Sequence, residues 1–294
     1  MKRLLPLLAG IILLLGVALA LRPQTVERAV ASEPAVASSV PDAAAPVTDG
    51  AGRSPRPTEG SPQRLSMIAV GDIMTDRSVG KAIAARGCES ILAKVRDLTA
   101  DADISVANLE TPLSTVGPHD AQACIFRARP ETVKVLLDGG FDVVSLANNH
   151  TLNAGREGVL QTLDVLEKSK IQYCGAWRDK SKIGEPTYAT AAEGPMRLGF
   201  IGITDLSFGH GSYNKVSADR SNLAAQIKQA KQNCDLVIVS IHWGDEYKPL
   251  PNQRQRNTAH AAINAGADLV LGHHPHTLEG IEAYKGKPIL YSMG

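Results

Sequence analysis

From residue 65 onward, short apolar runs alternate with longer amphipathic stretches. The apolar runs are rich in β-branched residues and end at glycine or polar residues, as buried strands do. They occupy residues 67–70, 104–107, 143–147, 198–203, 236–241 and 269–271. Between them, apolar residues at helical spacing predict helices over residues 89–98, 130–137, 155–168, 217–232 and 252–265. This alternation predicts an α/β fold with a largely buried sheet.

Polar residues of the kinds that bind metals follow almost every one of these predicted strands. They are Asp72, Asn108, Glu110, Asn149, His150, Asp205, His242, Glu246, His273, His274 and His276. Open α/β sheets bind ligands at the carboxyl ends of their strands, so these side chains are expected to meet in one crevice. Carboxylates neutralise the charge of a cation and imidazoles bind transition metals, which predicts a divalent metal centre.

The first 64 residues differ in composition from the rest. Lys2 and Arg3 precede an apolar run that ends at Leu21, with a small-residue pattern at 18–20. Residues 1–21 are therefore predicted to be a cleaved signal peptide or an uncleaved amino-terminal membrane anchor, with the anchor favoured. Residues 22–64, rich in proline, alanine and serine, are predicted to form a disordered linker. Residues 65–294 would then be one extracytoplasmic domain, membrane-anchored or secreted.

Charge and cysteine content narrow the possible functions. The formal net charge is +1, and no basic block lies beside aromatic residues, so a nucleic-acid partner is not expected. The four cysteines lack the close spacing of a zinc ribbon or a redox pair. In an exported protein they can form disulfides, and Cys88–Cys124 is the preferred bridge, with buried free thiols as the alternative.

Short motifs stand at the predicted strand ends in a fixed order. They are Gly-Asp-Ile-Met at 71–74, Asn-Leu-Glu-Thr-Pro-Leu at 108–113, Ala-Asn-Asn-His-Thr at 147–151, His-Trp-Gly-Asp-Glu-Tyr at 242–247, Gly-His-His-Pro-His at 272–276 and Tyr-Ser-Met-Gly at 291–294. This series resembles the motifs of the CapA family of bacterial poly-γ-glutamate capsule-synthesis proteins, over essentially the whole of residues 65–294. The resemblance implies the layered α/β/β/α sandwich of calcineurin-like metallophosphoesterases and a membrane-tethered, extracytoplasmic setting.

The resemblance also implies a role for individual residues. The implied metal ligands are Asp72, Glu110, Asn149, His242, His274 and His276. Glu110 takes the place of the acidic residue that bridges two metals, and His150 that of the general acid that protonates a leaving group. His273 would pack beside the ligands. The implied cofactor is Mn, Zn, Fe or Mg, as one or two ions.

Two features depart from the family pattern. Metallophosphoesterases usually have a histidine two residues after the first aspartate, where this chain has Met74. The second metal position is therefore expected to be one ligand short. The family also normally continues beyond the Ser-Met-Gly motif, so the chain is expected to be truncated at Gly294.

Residues for substrate binding are predicted from charge and position. Arg127 and Arg129 precede a predicted helix, and their guanidinium groups could hold carboxylates or phosphate. Helix-entry packing or a surface ion pair is the alternative for both. Asn108 and Glu246, at two strand ends, are also predicted to contact substrate. Glu246 could contact an amine on the substrate or orient His242, and a solvated loop without either role is the alternative.

Two functions follow from this sequence. The first is a metal-dependent hydrolase or transferase for amide or phosphoester bonds in capsule synthesis or export. The second is a non-catalytic module that binds poly-γ-glutamate, or a related anionic polymer, within a membrane capsule-export complex. The fold alone does not distinguish them.

Overall fold

The computed structural model describes residues 65–120, 122–190, 196–206 and 222–294. The predicted export segment (1–21), the predicted linker (22–64) and the start of the helix predicted over 217–232 lie outside these residues. Within the described ranges, no helix combines the length and apolar character needed to cross a bilayer.

Strands and helices alternate along the described chain. The strands are β1 (Met67–Ile73), β2 (Ile104–Leu109), β3 (Val143–Ser145), β4 (Gln172–Cys174), β5 (Thr187–Thr190), β6 (Arg197–Thr204), β7 (Leu236–His242), β8 (Leu269–His273), β9 (Ile281–Tyr284) and β10 (Lys287–Leu290). The helices are α1 (Arg77–Arg86), α2 (Arg96–Ala100), α3 (Lys134–Asp138), α4 (Gly155–Lys168), α5 (Leu223–Lys231) and α6 (Gln253–Ala265). Short 3-10 turns cover Cys88–Ser90, Pro130–Val133 and Lys180–Lys182.

The strands form two sheets. The first has the order β1-β2-β3-β4 and is parallel throughout. The second has the order β5-β6-β7-β8-β10-β9, in which β6, β7, β8 and β10 run parallel and the edge strands β5 and β9 are antiparallel. The parallel strands of each sheet therefore present their carboxyl ends along one edge.

Apolar side chains pack the two sheets against each other. Ile104 and Val143 of the first sheet share a buried cluster with Phe200, Ile238 and Leu269 of the second. On the outer faces, α4 covers the first sheet, and α5 and α6 cover the second. The layers therefore run helix, sheet, sheet, helix, which confirms the predicted α/β/β/α sandwich.

Several strands continue beyond their apolar runs into the predicted site. Asp72 pairs with Asn108 in the first sheet, and His242 pairs with His273 in the second. Polar residues continue these strands because their backbones still find hydrogen-bonding partners while their side chains meet in the crevice. In β1 the pairing shifts between Ala69 and Asp72.

The helix predicted over residues 89–98 is wrong. A 3-10 turn and α2 occupy parts of this range and are separated by residues 91–95. The backbone angles of Val95 (φ −125°, ψ −6°) are not helical. Leu92 packs against the cluster that contains Phe141, so a tertiary contact outweighs the local helical pattern. Helix α1 was not predicted because none of its residues is buried, and it therefore carries no apolar face to detect.

The predicted Cys88–Cys124 disulfide is also wrong, since all four cysteines are free. The thiol of Cys88 faces the carbonyl oxygen of Glu131 at 3.9 Å. Cys124 is exposed in a turn closed by backbone hydrogen bonds between Asp120 and Ile125. The two cysteines lie on either side of β2 in the sequence, but the fold places their sulfur atoms in different surroundings.

A candidate metal centre at the strand ends

Asp72, near the end of β1, is surrounded by hydrogen-bond donors. Its Oδ1 accepts from the Asn108 amide at 2.8 Å and lies 3.5 Å from His273 Nδ1. Its Oδ2 accepts from the backbone N–H of His274 at 3.1 Å and lies 3.2 Å from His276 Nδ1. Burial by itself would raise the pKa of Asp72, but the rings of His273 and His276 beside its carboxyl group, together with the nearby His242, hold that pKa well below its usual range. Asp72 is thus a carboxylate at neutral pH.

Glu110, just after β2, lacks the hydrogen bonds that surround Asp72. It is 3% exposed, and its Oε1 has no hydrogen-bond partner among the described residues. Around this oxygen lie Nε2 of His242 at 3.5 Å, of His276 at 3.9 Å and of His150 at 4.0 Å. Burial, followed by the charges of Asp72 and Glu246, raises the pKa of Glu110 to about 10. A cation that binds here must displace a proton from Glu110.

The histidines supply imidazole nitrogen atoms that could bind a metal in the same crevice. Burial lowers the pKa of His242 well below its usual value, and burial together with the charge of His276 lowers that of His274. Both rings are therefore neutral imidazoles, the form that binds metals. Nδ1 of His274 is buried without a hydrogen-bond partner in the described part of the chain. A hydrogen bond to Asp72 raises the pKa of His276.

The backbone after β8 turns two of these rings toward one centre. His274 and His276 have left-handed φ angles of 96° and 52°. Such angles are costly for residues other than glycine and persist where surrounding contacts hold them. Those contacts include the bond from the His274 N–H to Asp72 and the bond from the Tyr247 N–H to the Pro275 carbonyl at 2.7 Å. The ring centroids of His274 and His276 lie 5.7 Å apart.

Two sets of side chains can each hold a divalent cation, with ligand atoms within 4.8 Å of one another. One set is Glu110, His274 and His276, and the other is Asp72, Glu110 and His242. Glu110 belongs to both, as expected of a bridging carboxylate. Two observations support the fit to a metal. In the described ranges, Glu110 Oε1 and His274 Nδ1 are buried without a hydrogen-bond partner. The side chains also combine carboxylates with neutral imidazoles, which suits a divalent transition metal.

Asn149 and His150, predicted as ligand and general acid, border the same cluster. The Asn149 Oδ1 lies 2.8 Å from His242 Nε2, and its Nδ2 lies 3.1 Å from His150 Nε2. His150 Nδ1 lies 2.9 Å from Asn153 Oδ1. Burial lowers the pKa of His150, although the Asn153 hydrogen bond opposes this shift. The structure therefore brings all seven predicted metal and catalytic residues into one cluster.

Asn148 and Asn153 support the cluster but were not among the predicted site residues. Asn148 is fully buried, and its Nδ2 donates to Asn108 Oδ1 at 3.1 Å and to the Leu109 carbonyl at 2.8 Å. Its Oδ1 accepts from the backbone N–H of His150 at 3.0 Å. The sequence signal for Asn148 was its place in the 147–151 motif, next to the predicted ligand Asn149. Nothing in the sequence marks Asn153 except its distance of three residues from His150.

The residues predicted to bind substrate fall in different places. Asn108 is 0% exposed, and its amide is occupied by Asp72 and Asn148, which makes it a residue that positions ligands. Glu246 is exposed and close enough to the cluster for its charge to raise the pKa of Glu110. The Arg127 guanidinium donates to the Thr115 carbonyl at 2.8 Å, and exposed Arg129 pairs with Glu131 at 3.7 Å. Substrate contact by Arg127, Arg129 and Glu246 stays a prediction.

A family model described as bacterial capsule synthesis protein matches residues 66–294. The chain belongs to this capsule synthesis family. It is 36% identical over 254 residues to the PGA biosynthesis protein CapA of Bacillus subtilis (strain 168), covering 83% of this chain and 66% of that protein. It is 32% identical over 245 residues to the capsule biosynthesis protein CapA of Bacillus anthracis, covering 79% of this chain and 59% of that protein.

This chain therefore spans less than two thirds of the length of either relative. A crystal structure of a Thermus thermophilus protein is similar at 12% identity with a TM-score of 0.46, covering 76% of this chain and 87% of that one. The predicted membership of the CapA family is confirmed by the family match and the two Bacillus relatives.

Proposed function

We propose that this chain acts outside the cytoplasm in the synthesis or export of poly-γ-glutamate or a related anionic polymer, as a metal-dependent hydrolase or transferase. The bond acted on would be an amide or a phosphoester. Family membership and the names of the two Bacillus relatives support the polymer. The metal-dependent part rests on one observation in the described residues, the buried and unpartnered Glu110 Oε1 with three imidazole nitrogens within 4.0 Å.

The residues fit one or two divalent cations, of which Mn, Zn, Fe and Mg suit these ligand types. Asp72, Glu110, His242, His274 and His276 would hold the metal, with the Asn149 amide oxygen beside them. A bound divalent cation polarises a substrate oxygen and lowers the pKa of water. Asp72 enters such a centre already charged, whereas Glu110 enters it by losing a proton.

His150 is arranged to move a proton at Nε2. The backbone N–H of Phe126 donates to Asn153 Oδ1 at 2.8 Å, which identifies that atom of the amide as the acceptor. The same oxygen lies 2.9 Å from His150 Nδ1, so in the neutral ring Nδ1 carries the hydrogen and Nε2 carries the lone pair. His150 therefore takes up a proton at Nε2 and, once charged, donates it from that atom to a leaving group.

Metal analysis tests the centre itself. The purified full-length protein is expected to contain stoichiometric Mn, Zn, Fe or Mg by elemental analysis. Glu110→Gln and His274→Ala are each expected to lower that content strongly, because each removes a ligand. The matched control is His260→Ala, since His260 stacks on Tyr284 away from the cluster. Wild-type protein without metal, or equal content in all four proteins, would falsify the site assignment.

Assays on the metal-loaded protein test catalysis. Cleavage or transfer is expected on poly-γ-glutamate or on a generic phosphodiester, and His150→Gln is expected to reduce it. Fully metal-loaded protein that is inactive on both would support a second function, a non-catalytic polyanion-binding or scaffolding module of a membrane capsule-export complex. Met74, which stands where related metalloenzymes carry a histidine ligand, favours that second function.

The proposed location rests on residues 1–21. Their charged start and apolar run support export with either a retained anchor or cleavage of a signal peptide. Amino-terminal sequencing of protein recovered from the membrane and secreted fractions distinguishes the two. Recovery of the protein in the cytoplasm with an intact amino terminus would contradict the proposed location.

A further inference from the structure

Phe126 connects the metal cluster to the surface. Its ring is 5% exposed and lies 4.4 Å, centroid to centroid, from the ring of His150. Its backbone N–H and His150 Nδ1 share one acceptor, Asn153 Oδ1. The position of Phe126 relative to His150 is therefore held both by ring packing and by a common hydrogen-bond acceptor.

Arg77 covers the same aromatic ring. Its guanidinium carbon lies 5.6 Å from the centroid of Phe126, at a distance typical of a cation–π contact. A chain of neighbouring groups thus runs from Glu110 through His150 and Phe126 to Arg77. Arg77 is exposed, so its side chain is accessible to a ligand that reaches the cluster from this side.

The segment around Arg77 is held in place by its neighbour Asp76. The Asp76 side chain does not cap α1. Its Oδ2 instead accepts from the backbone N–H of Arg127 at 3.1 Å and lies 2.8 Å from His119 Nε2. Arg77 itself has a left-handed φ of 54°, which is costly for a residue of this type. The start of α1 is therefore joined to His119 and to the backbone of Arg127, next to Phe126 and His150.

Arg77 differs from the other arginines of this region in what its guanidinium contacts. Arg127 donates to the Thr115 carbonyl, and Arg129 pairs with Glu131. Across the part of the chain that the structure describes, the Arg77 guanidinium contacts the Phe126 ring but takes part in no hydrogen bond or ion pair. Its five N–H donors, which suit bidentate binding of a carboxylate, remain available.

We infer that Arg77, stacked on Phe126, is the anion-binding residue of the site and takes a carboxylate of the polymer substrate. The inference rests on the proposed function and names the side from which the anion enters. Glu246 lies on another loop near the cluster and is exposed and acidic, so it would repel a carboxylate. The anionic part of the substrate is therefore bound on the His150 side, by Arg77.

Equilibrium binding of a fluorescent γ-glutamate oligomer to the metal-loaded, full-length protein tests this inference. Arg77→Asn removes the guanidinium while keeping a residue that tolerates a left-handed backbone. It is expected to weaken binding about tenfold or more, since a charge-assisted hydrogen bond contributes at least that factor. Arg77→Lys keeps the charge without the planar fork and is expected to fall between wild type and Arg77→Asn.

Arg86→Gln is the matched control, because it removes an exposed guanidinium from the opposite end of the same helix, α1. It is expected to change the dissociation constant by less than about twofold, because Arg86 lies roughly 14 Å along the helix from Arg77. An oligomer whose carboxylates are methyl esters should bind wild type and Arg77→Asn equally weakly. Inorganic phosphate and glutarate serve as competitors, and glutarate is expected to displace the oligomer at the lower concentration.

Metal content is measured on the same samples, which separates this inference from the proposed function. Arg77 is not a ligand, so wild type and all variants should carry equal metal. If the metal content is equal and Arg77→Asn binds the oligomer as tightly as Arg86→Gln does, Arg77 does not bind the anion. If phosphate displaces the oligomer at a lower concentration than glutarate does, the anion that Arg77 binds is not a carboxylate. Metal-free wild-type protein overturns the proposed function itself.

Discussion

The Oε1 atom of Glu110 lies 3.5 Å from Nε2 of His242, and the two residues belong to different sheets. Glu110 follows β2 of the first sheet, and His242 ends β7 of the second. The cluster therefore forms only when the two sheets pack together. A cation bound between these atoms would stabilise the sandwich as well as supply chemistry, because it binds the folded state alone.

Proton release is the first expected consequence of this arrangement. Glu110 has a pKa of about 10 in the folded, metal-free protein, against an ordinary value of 4.5. Between these values the folded state keeps a proton that the unfolded state has lost, so the free energy of unfolding decreases as pH rises. Metal binding displaces that proton, and metal affinity should therefore increase with pH over the same range.

Calorimetric titration of metal into the protein checks this expectation. At pH 7, in two buffers with different ionisation enthalpies, the heats should differ by about one proton released per metal ion. His276, whose pKa is raised by its hydrogen bond to Asp72, adds to the release at lower pH. Heats that do not depend on the buffer would show that Glu110 is already ionised before metal binds.

Asn108→Ala is expected to weaken metal binding without removing a ligand. The Asn108 amide donates to Asp72 Oδ1 and accepts from Asn148, both in the buried interior. Loss of these bonds should lower the free energy of unfolding by about 1–3 kcal/mol. Metal affinity should fall about 10- to 100-fold, as is typical when a group that orients a ligand is removed.

Thermal unfolding with and without metal measures both effects of Asn108→Ala. Asn233→Ala serves as the control, because Asn233 is exposed and its amide donates to the Gln229 carbonyl, away from the cluster. If the two variants bind metal equally, the hydrogen bond between Asn108 and Asp72 does not position the carboxylate.

Gly272→Ala is expected to disturb the second sheet next to the ligands. A Cβ at residue 272 would overlap the carbonyl of Tyr291, which also accepts from Trp243 Nε1 at 2.8 Å. Overpacking of this kind typically costs about 1–3 kcal/mol. Chemical denaturation of Gly280→Ala provides the comparison, since a Cβ there meets no atom of the described residues within 4 Å. Equal midpoints for the two variants would mean that β8 and the 291–293 segment can separate without cost.

The free cysteines predict a graded reaction with a thiol reagent. Cys124 is exposed and should react first in the native protein. Cys174 is buried, and burial raises the pKa of its thiol to about 12, so it should react only after unfolding. A reducing agent should leave the melting temperature of the domain unchanged. A lower melting temperature on reduction, or fewer free thiols than four after unfolding, would indicate a disulfide.

Much of the fold could be predicted because its main apolar runs are continuous and clearly bounded. The runs that became β6, β7 and α4 were located nearly to the residue, since each buries a continuous apolar stretch or face. The short strands β4, β5, β9 and β10 were not predicted, because each has only three or four residues. Their pairing depends on neighbouring strands that are distant in sequence.

Only part of the candidate site could likewise be predicted from the sequence. Its ligand residues could be predicted because Asp72, Glu110, Asn149, His242 and the 274–276 histidines are of metal-binding types and directly follow or end apolar strands. Asn153 and Arg77 carry no such signal. Their placement depends on loops that meet beside His150, and hydrogen bonds and ring contacts across long sequence separations decide it.

The sequence by itself determined the α/β layering, the family and which residues are candidate ligands, because apolar periodicity and residue type act locally along the chain. Only the tertiary structure decided that, among the described residues, Glu110 Oε1 faces three imidazole nitrogens without a hydrogen bond, that Asn108 supports Asp72, and that the cysteines stay unpaired. The first fact depends on how the two sheets pack, the second on the pairing of β1 with β2, and the third on where the fold places each sulfur atom. A side chain's protonation and partners follow from burial and from the neighbours that packing supplies.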